Sequence, residues 1–136
     1  MRNLIKTSII ALMVCFIGSH AMHAEKRALL IGISDYGNTD EDPNKWANIS
    51  GANDVALLTP LFKEHGFNVT SLVDAHATHV GITKALKKLV KDSKKGDVVY
   101  IHFSMHGQPF EDLNGDEEDG WDEALIPVDA QMLYSE

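Results

Sequence analysis

A histidine followed by a glycine, His106-Gly107, begins two residues after an apolar segment that ends at Ser104. An imidazole titrates near neutral pH and can therefore move a proton during a reaction. Glycine lets another backbone approach closely and can expose its N–H to a developing negative charge. The pair is typical of a site for acid–base catalysis. A lone histidine can also be ordinary polar surface, and the residues alone leave both interpretations open.

An acidic segment, residues 111–123, is a second candidate site, since it carries eight carboxylates and two glycines in thirteen residues. Asp112, Asn114 and Asp116 fit the first three ligand positions of an EF-hand loop, but Glu117 stands where its sharp turn needs glycine. A true EF-hand is therefore not expected. The segment is predicted to be either a solvated loop or a looser calcium site.

The chain as a whole is acidic and of single-domain size. Its 136 residues include 12 Lys and Arg against 20 Asp and Glu, a formal net charge of −8. Nucleic-acid binding is disfavoured, because phosphates repel an acidic protein that has no segregated basic face. Six lysines between residues 84 and 95 are interpreted as a solvated helix face. Cys15 is the only cysteine, which excludes an internal disulfide and a thiolate zinc site.

Residues 1–24 have the order of a secretory signal peptide. A basic start is followed by an apolar run over 9–17 and by small residues. Cleavage is predicted after Ala21, with a cut after Ala24 as the second choice. The apolar run is shorter than the roughly 20 residues of a membrane span. We therefore expect a secreted or periplasmic protein without membrane attachment after cleavage, consisting of one domain over residues 25–136.

The elements that must position His106 are three strands and two helices. Mostly apolar strands are predicted over 27–33, 68–73 and 97–104. Helices are predicted between them, one from Ser50 to about residue 65 and one after Thr78. This βαβαβ order predicts a parallel α/β sheet, whose carboxyl edge is where ligands bind. His106 is expected at that edge.

The other histidines are given structural interpretations. His102 lies inside the third predicted strand and is expected to be a core residue with its hydrogen bonds satisfied. His76 and His79 flank the second helix N-cap and are interpreted as loop residues rather than metal ligands.

Four segments together carry a resemblance to a known family; they are residues 26–33, 50–55, 103–107 and 116–129. In this order they resemble the large-subunit region of the caspase-like cysteine peptidases, closest to the metacaspase branch. The resemblance implies a caspase-like three-layer α/β fold with a mostly parallel sheet, of which this chain holds the N-terminal βαβαβ part.

The resemblance also implies roles for individual residues. His106 matches the catalytic histidine of a Cys/His dyad, and Gly107 matches the glycine whose N–H holds the oxyanion. Asp54 matches the acidic residue that selects Arg or Lys before the scissile bond, although it could equally be a helix N-terminal carboxylate. Asp122 matches a calcium-linked carboxylate, and with Asp116 it makes up the predicted calcium ligands. No cofactor is expected to be required, calcium is the one ion suggested, and a peptide or protein is the implied substrate.

The nucleophile is the one expected part that this chain does not provide. In caspase-like chains the cysteine follows the histidine by about 50 residues, whereas the sequence has no cysteine after Cys15. We therefore expect a fragment of a peptidase whose partner is the remaining C-terminal part of the domain. The alternative is an inactive caspase-like module that binds or regulates, with calcium as a further ligand.

Overall fold

The computed structural model describes residues 24–39 and 44–132. The predicted leader peptide, apart from Ala24, lies outside the described residues, and so does Cys15. The elements run in the order β1 (Lys26–Gly32), α1 (Gly51–Glu64), β2 (Phe67–Val73), a 3₁₀ turn (Asp74–His76), α2 (His79–Asp92), β3 (Val98–Ser104), β4 (Gly107–Glu111) and β5 (Trp121–Leu125).

The central sheet is parallel, as the alternation of strands and helices predicts. Its strand order is β2-β1-β3, so β1 lies in the middle. Lys26 pairs with Phe67 on one side and with Val98 on the other. All three strands thus begin together, and their carboxyl ends form a common edge where β3 stops at Ser104.

The two helices cover opposite faces of the sheet, because β1 is apolar on both faces. Ala28 and Leu30 pack in one cluster with Val55 and its neighbours on α1. Leu29 and Ile31 pack in the other cluster, against the apolar stripe of α2. This alternation is the normal consequence of a pleated strand buried on both sides, and it produces the predicted three layers, helix, sheet and helix.

The predicted helix ends are close to those observed. Thr78 is the N-cap of α2, and its hydroxyl accepts a hydrogen bond of 3.0 Å from the Gly81 amide. Ser50 precedes α1, but its side chain makes no capping bond. The helix α1 continues through Pro60, and Gly66 follows it with a φ of 79°. Among the described residues, neither helix is long and apolar enough to cross a membrane.

The acidic segment differs from the expectation of a loop throughout. Its two ends belong to an antiparallel hairpin, in which Gly107 pairs with Leu125 and Glu111 pairs with Trp121. Only the tip between β4 and β5 is loop. The hairpin is hard to recognise from sequence because its strands are short, charged and interrupted by Pro109, all of which are unfavourable in isolated strands.

Candidate active site

His106 lies two residues beyond the carboxyl end of β3 and just before β4. Its Nε2 atom is 2.8 Å from the carbonyl oxygen of Ala47. A carbonyl oxygen can only accept, so Nε2 must carry the proton and a neutral imidazole has its lone pair on Nδ1. One ring nitrogen is therefore engaged by the protein, and the other is the one that could act as a base.

Two aromatic side chains pack against the imidazole. The ring of Tyr36 lies 5.0 Å from it and that of Trp46 lies 5.4 Å from it, centre to centre, both in tilted arrangements. Tyr36 also contacts the backbone of the site, since its hydroxyl accepts from the His106 amide at 3.0 Å and donates to the Ile126 carbonyl at 3.0 Å. Burial raises the pKa of Tyr36, and the phenol stays protonated.

The amide of Gly107 points away from the hairpin partner. The amides of Ile126 and Asp112 donate to His106 and Gly120 across the two strands, which identifies these as hydrogen-bonded pairs. Opposed residues alternate between bonded and non-bonded pairs in an antiparallel ladder. Gly107 and Pro109 belong to the non-hydrogen-bonded pairs, and Pro109 has no N–H to donate. The exposed Gly107 N–H is thus directed outward, where it can donate to a ligand.

Asp54 is brought to the same edge of the sheet by the first turn of α1. The Ser104 hydroxyl donates to Asp54 Oδ2 at 2.5 Å, two residues before His106. This approach depends on two glycines: a Cβ atom on Gly51 would lie 2.0 Å from the Ser104 carbonyl oxygen, and one on Gly32 would lie 2.2 Å from that of Gly51. The exposed carboxylate of Asp54 is therefore presented beside the strand end that leads to the histidine.

The hairpin tip, together with Asp122 near the start of β5, brings three carboxylates together. Oxygen atoms of Asp112, Asp116 and Asp122 lie within 4.8 Å of one another. Partial burial, followed by the charges of Asp112, Asp116 and Glu117, raises the pKa of Asp122. Amides of Glu117, Gly115 and Asn114 bond to Asp112 and hold its pKa below the usual range. The predicted calcium ligands Asp116 and Asp122 are joined by a third carboxylate, Asp112, which was not among them.

The remaining histidines are apart from this arrangement. His102 is half-buried on β3, and its Nε2 is buried with no hydrogen-bond partner among the described residues. The expectation that its hydrogen bonds are satisfied is therefore wrong for Nε2. His76 and His79 are exposed, and His79 is the first residue of α2 rather than a loop residue.

The residues that surround the imidazole were not predicted from the sequence. Tyr36, Trp46 and Ala47 all lie in the segment between β1 and α1. No local pattern marks them: the contacts of Tyr36 and Ala47 with His106 span 70 and 59 residues of chain. A carbonyl oxygen has no side-chain signature at all, so only the packed structure identifies it.

Comparison with known proteins identifies related chains. A family model described as "Metacaspase, peptidase C14 domain" matches residues 26–134. Metacaspase-1 of Kluyveromyces lactis is 34% identical over 113 residues, which cover 79% of this chain and 26% of the relative. Metacaspase-1B of Aspergillus clavatus is 39% identical over 117 residues, covering 79% and 27%. The chain spans about a quarter of the length of these curated relatives.

A solved structure is also similar. The crystal structure of a protein from Geobacter sulfurreducens superposes with a TM-score of 0.61 and 29% sequence identity. The match covers 79% of this chain and 40% of that chain. The α/β architecture described above is thus one that an experimentally determined structure also has.

Proposed function

Since this chain belongs to the metacaspase family of C14 peptidases, we propose that it is the histidine-bearing part of a Cys/His endopeptidase. One observation carries the proposal. His106 stands at the carboxyl edge of a parallel sheet with Nε2 hydrogen-bonded to Ala47, which leaves Nδ1 as the basic nitrogen. This is the condition for a general base that must accept a thiol proton.

The proposed reaction is acyl transfer to a thiol followed by hydrolysis. Nδ1 of His106 takes the proton of the cysteine, and the thiolate attacks the carbonyl carbon of the scissile peptide. The imidazolium then gives its proton to the leaving amine, and water releases the acyl group in a second step. The outward N–H of Gly107 is suited to donate to the oxyanion that forms in each step.

The cysteine must come from a segment outside the described residues, and the outer edge of β3 is where that segment would pair. Among the described strands, β3 pairs with β1 on one side and has no neighbour on the other. Four successive apolar residues of β3 are 39–49% exposed; they are Val98, Val99, Tyr100 and Ile101. An exposed apolar edge strand favours pairing with a further strand. A parallel strand there would end beside His106.

Asp54 is the proposed specificity residue. Its carboxylate is exposed and is oriented by the Ser104 hydroxyl at 2.5 Å. A carboxylate held in this way suits a guanidinium or ammonium group, which favours cleavage after Arg or Lys. The alternative role, stabilisation of the α1 N-terminus through the helix dipole, predicts no effect of Asp54 on substrate choice.

The test is expression of the complete reading frame of the gene in its native host. We expect hydrolysis of fluorogenic peptides ending in Arg or Lys, weak hydrolysis of those ending in Asp, and loss of activity in His106→Ala. His76→Ala is the matched control, because His76 is an exposed histidine outside this site. Full activity in His106→Ala would refute the proposed role.

A second candidate function is an inactive module that binds or regulates. The observation in its favour is that Cys15, inside the predicted leader, is the only cysteine of the 136 residues. Without a thiolate, an imidazole does not open an amide at a useful rate. A frame that ends without a further cysteine, and a product that binds peptides but does not cleave them, would support this candidate over the peptidase.

We propose calcium as a ligand of the hairpin tip. The donor set fits, since three carboxylates converge within 4.8 Å and calcium prefers carboxylate oxygens. Partial burial, followed by repulsion from neighbouring carboxylates, raises the pKa of Asp122, and a bound cation would offset that repulsion. We expect a dissociation constant of roughly 10⁻⁴ to 10⁻³ M, the range of extracellular sites.

Calorimetry can test the calcium proposal directly. The double variant Asp116→Asn plus Asp122→Asn should lose the binding heat, while Glu118→Gln, a charge change in the same exposed tip, should retain it. Equal calcium binding by the double variant and the unsubstituted chain would exclude the hairpin tip as the calcium site.

The proposed location is outside the cytoplasm, in the periplasm or the medium. The proposal rests on the order of basic, apolar and small residues over 1–24. Mass spectrometry of the exported protein should find an N-terminus at Met22 or Glu25. An intact Met1 would contradict export with cleavage.

A further inference from the structure

We propose that Tyr36 is the positioning residue of His106, and that its hydroxyl bridges two backbone groups of the hairpin that a regular ladder bonds directly to each other. His106 and Ile126 are opposed across the two strands, and the Ile126 amide donates to the His106 carbonyl at 2.9 Å. A regular hydrogen-bonded pair would return a second bond from the His106 amide to the Ile126 carbonyl.

The Tyr36 hydroxyl replaces that second bond. It accepts from the His106 amide at 3.0 Å and donates to the Ile126 carbonyl at 3.0 Å. The phenol thus uses both of its hydrogen-bonding roles, and each backbone group keeps a partner. Because the side chain is only 2% exposed, water is excluded from this bridge, and both backbone groups would be left unpaired without it.

Tyr36 is also connected to the carbonyl group that accepts a hydrogen bond from the imidazole. Its amide donates to Asn48 Oδ1 at 2.8 Å. Asn48 follows Ala47, whose carbonyl oxygen accepts the hydrogen bond from Nε2 of His106. One residue therefore secures the histidine backbone, packs on the histidine ring at 5.0 Å and anchors the segment that selects the tautomer. Removal of the hydroxyl should therefore loosen the backbone of His106, while the contact between the two rings remains.

The consequence for catalysis rests on the proposed peptidase function, but the geometry is testable by NMR on the full chain whether or not that chain is an enzyme. In the unsubstituted chain we expect a slowly exchanging His106 amide, a magnetisation transfer from the Tyr36 hydroxyl proton to that amide, and a single Nε2–H tautomer in the ring ¹⁵N shifts. A rapidly exchanging hydroxyl without such transfer would overturn the proposal even if no variant folds.

The decisive variant is Tyr36→Phe, with Tyr100→Phe as matched control. Tyr100 is an exposed tyrosine of β3 that packs on Phe62. In Tyr36→Phe we expect His106 amide exchange to accelerate about two- to tenfold, the range set by one net hydrogen bond, together with altered ring ¹⁵N shifts of His106. The control should change neither. Unchanged amide exchange and ring shifts of His106, or equally faster exchange at every amide of β1 and β3, would show that Tyr36 contributes only to general stability.

Discussion

Substitution of Gly51 by alanine tests how closely α1 must approach the strand ends. A Cβ atom at this position would lie 2.0 Å from the Ser104 carbonyl oxygen and 2.7 Å from that of Ile33. Ordinary contact begins at 3.4 Å, so the helix end must move by about 1.4 Å. The obstructing atoms are backbone atoms of β3 and of the residue after β1, and no change of rotamer can relieve the clash.

The expected cost follows from this geometry. Overpacking of a rigid interior typically costs about 1–3 kcal/mol, and the higher helix propensity of alanine offsets up to about 1 kcal/mol in a helix interior but less at the first helical residue. We therefore expect Gly51→Ala to lower the free energy of unfolding by about 2 kcal/mol. The same displacement separates Asp54 from Ser104, whose 2.5 Å hydrogen bond would not survive it.

Urea unfolding followed by circular dichroism measures this difference. Gly107→Ala is the matched control for stability, because a Cβ atom there would meet only the Ala124 carbonyl oxygen, at 3.5 Å. The control should change the free energy of unfolding by less than about 0.5 kcal/mol. If Gly51→Ala were as stable as the control, the close approach of α1 to the sheet would be refuted.

Three further predictions concern a cap, a titration and the choice of substrate. Thr78→Ala should lower the free energy of unfolding by about 1 kcal/mol, whereas Ser50→Ala should lower it by less than about 0.5 kcal/mol. The reason is that, of these two residues, only Thr78 makes a side-chain capping bond. Thermal unfolding of the two variants measures the difference. Backbone hydrogen bonds, first from Glu25, hold the pKa of Asp97 below its usual range. The folded state then binds fewer protons than the unfolded state. The contribution of Asp97 to the free energy of unfolding is therefore complete above pH about 4 and is lost as pH falls through the lowered pKa. Urea titrations should show that the free energy of unfolding of Asp97→Asn depends less on pH in this acidic range. Asp54→Ala in the complete gene product should reduce kcat/KM for Arg and Lys peptides roughly tenfold or more, and an equal loss for Asp peptides would contradict a specificity role.

Local patterns predicted the sheet and both helices well. The strand β1 is recognisable because an uninterrupted apolar segment fits burial on both faces of a parallel sheet, and its residues Leu30 and Ile31 are fully buried. The helix α2 is recognisable from its apolar stripe and from Thr78. The hairpin was missed because β4 and β5 are short, polar strands, and their pairing depends on each other rather than on the pattern within either strand.

The sequence by itself determined the family, the order of strands and helices, and the place of His106 at the end of a strand, since each follows from residues close together in the chain. The tertiary structure alone decided what surrounds that histidine. Its contacts with Tyr36 and Ala47 span 70 and 59 residues, and that of Asp54 with Ser104 spans 50. Contacts at such separations are set by sheet register and by the packing of α1 on the strand ends, so no local property of the chain encodes them.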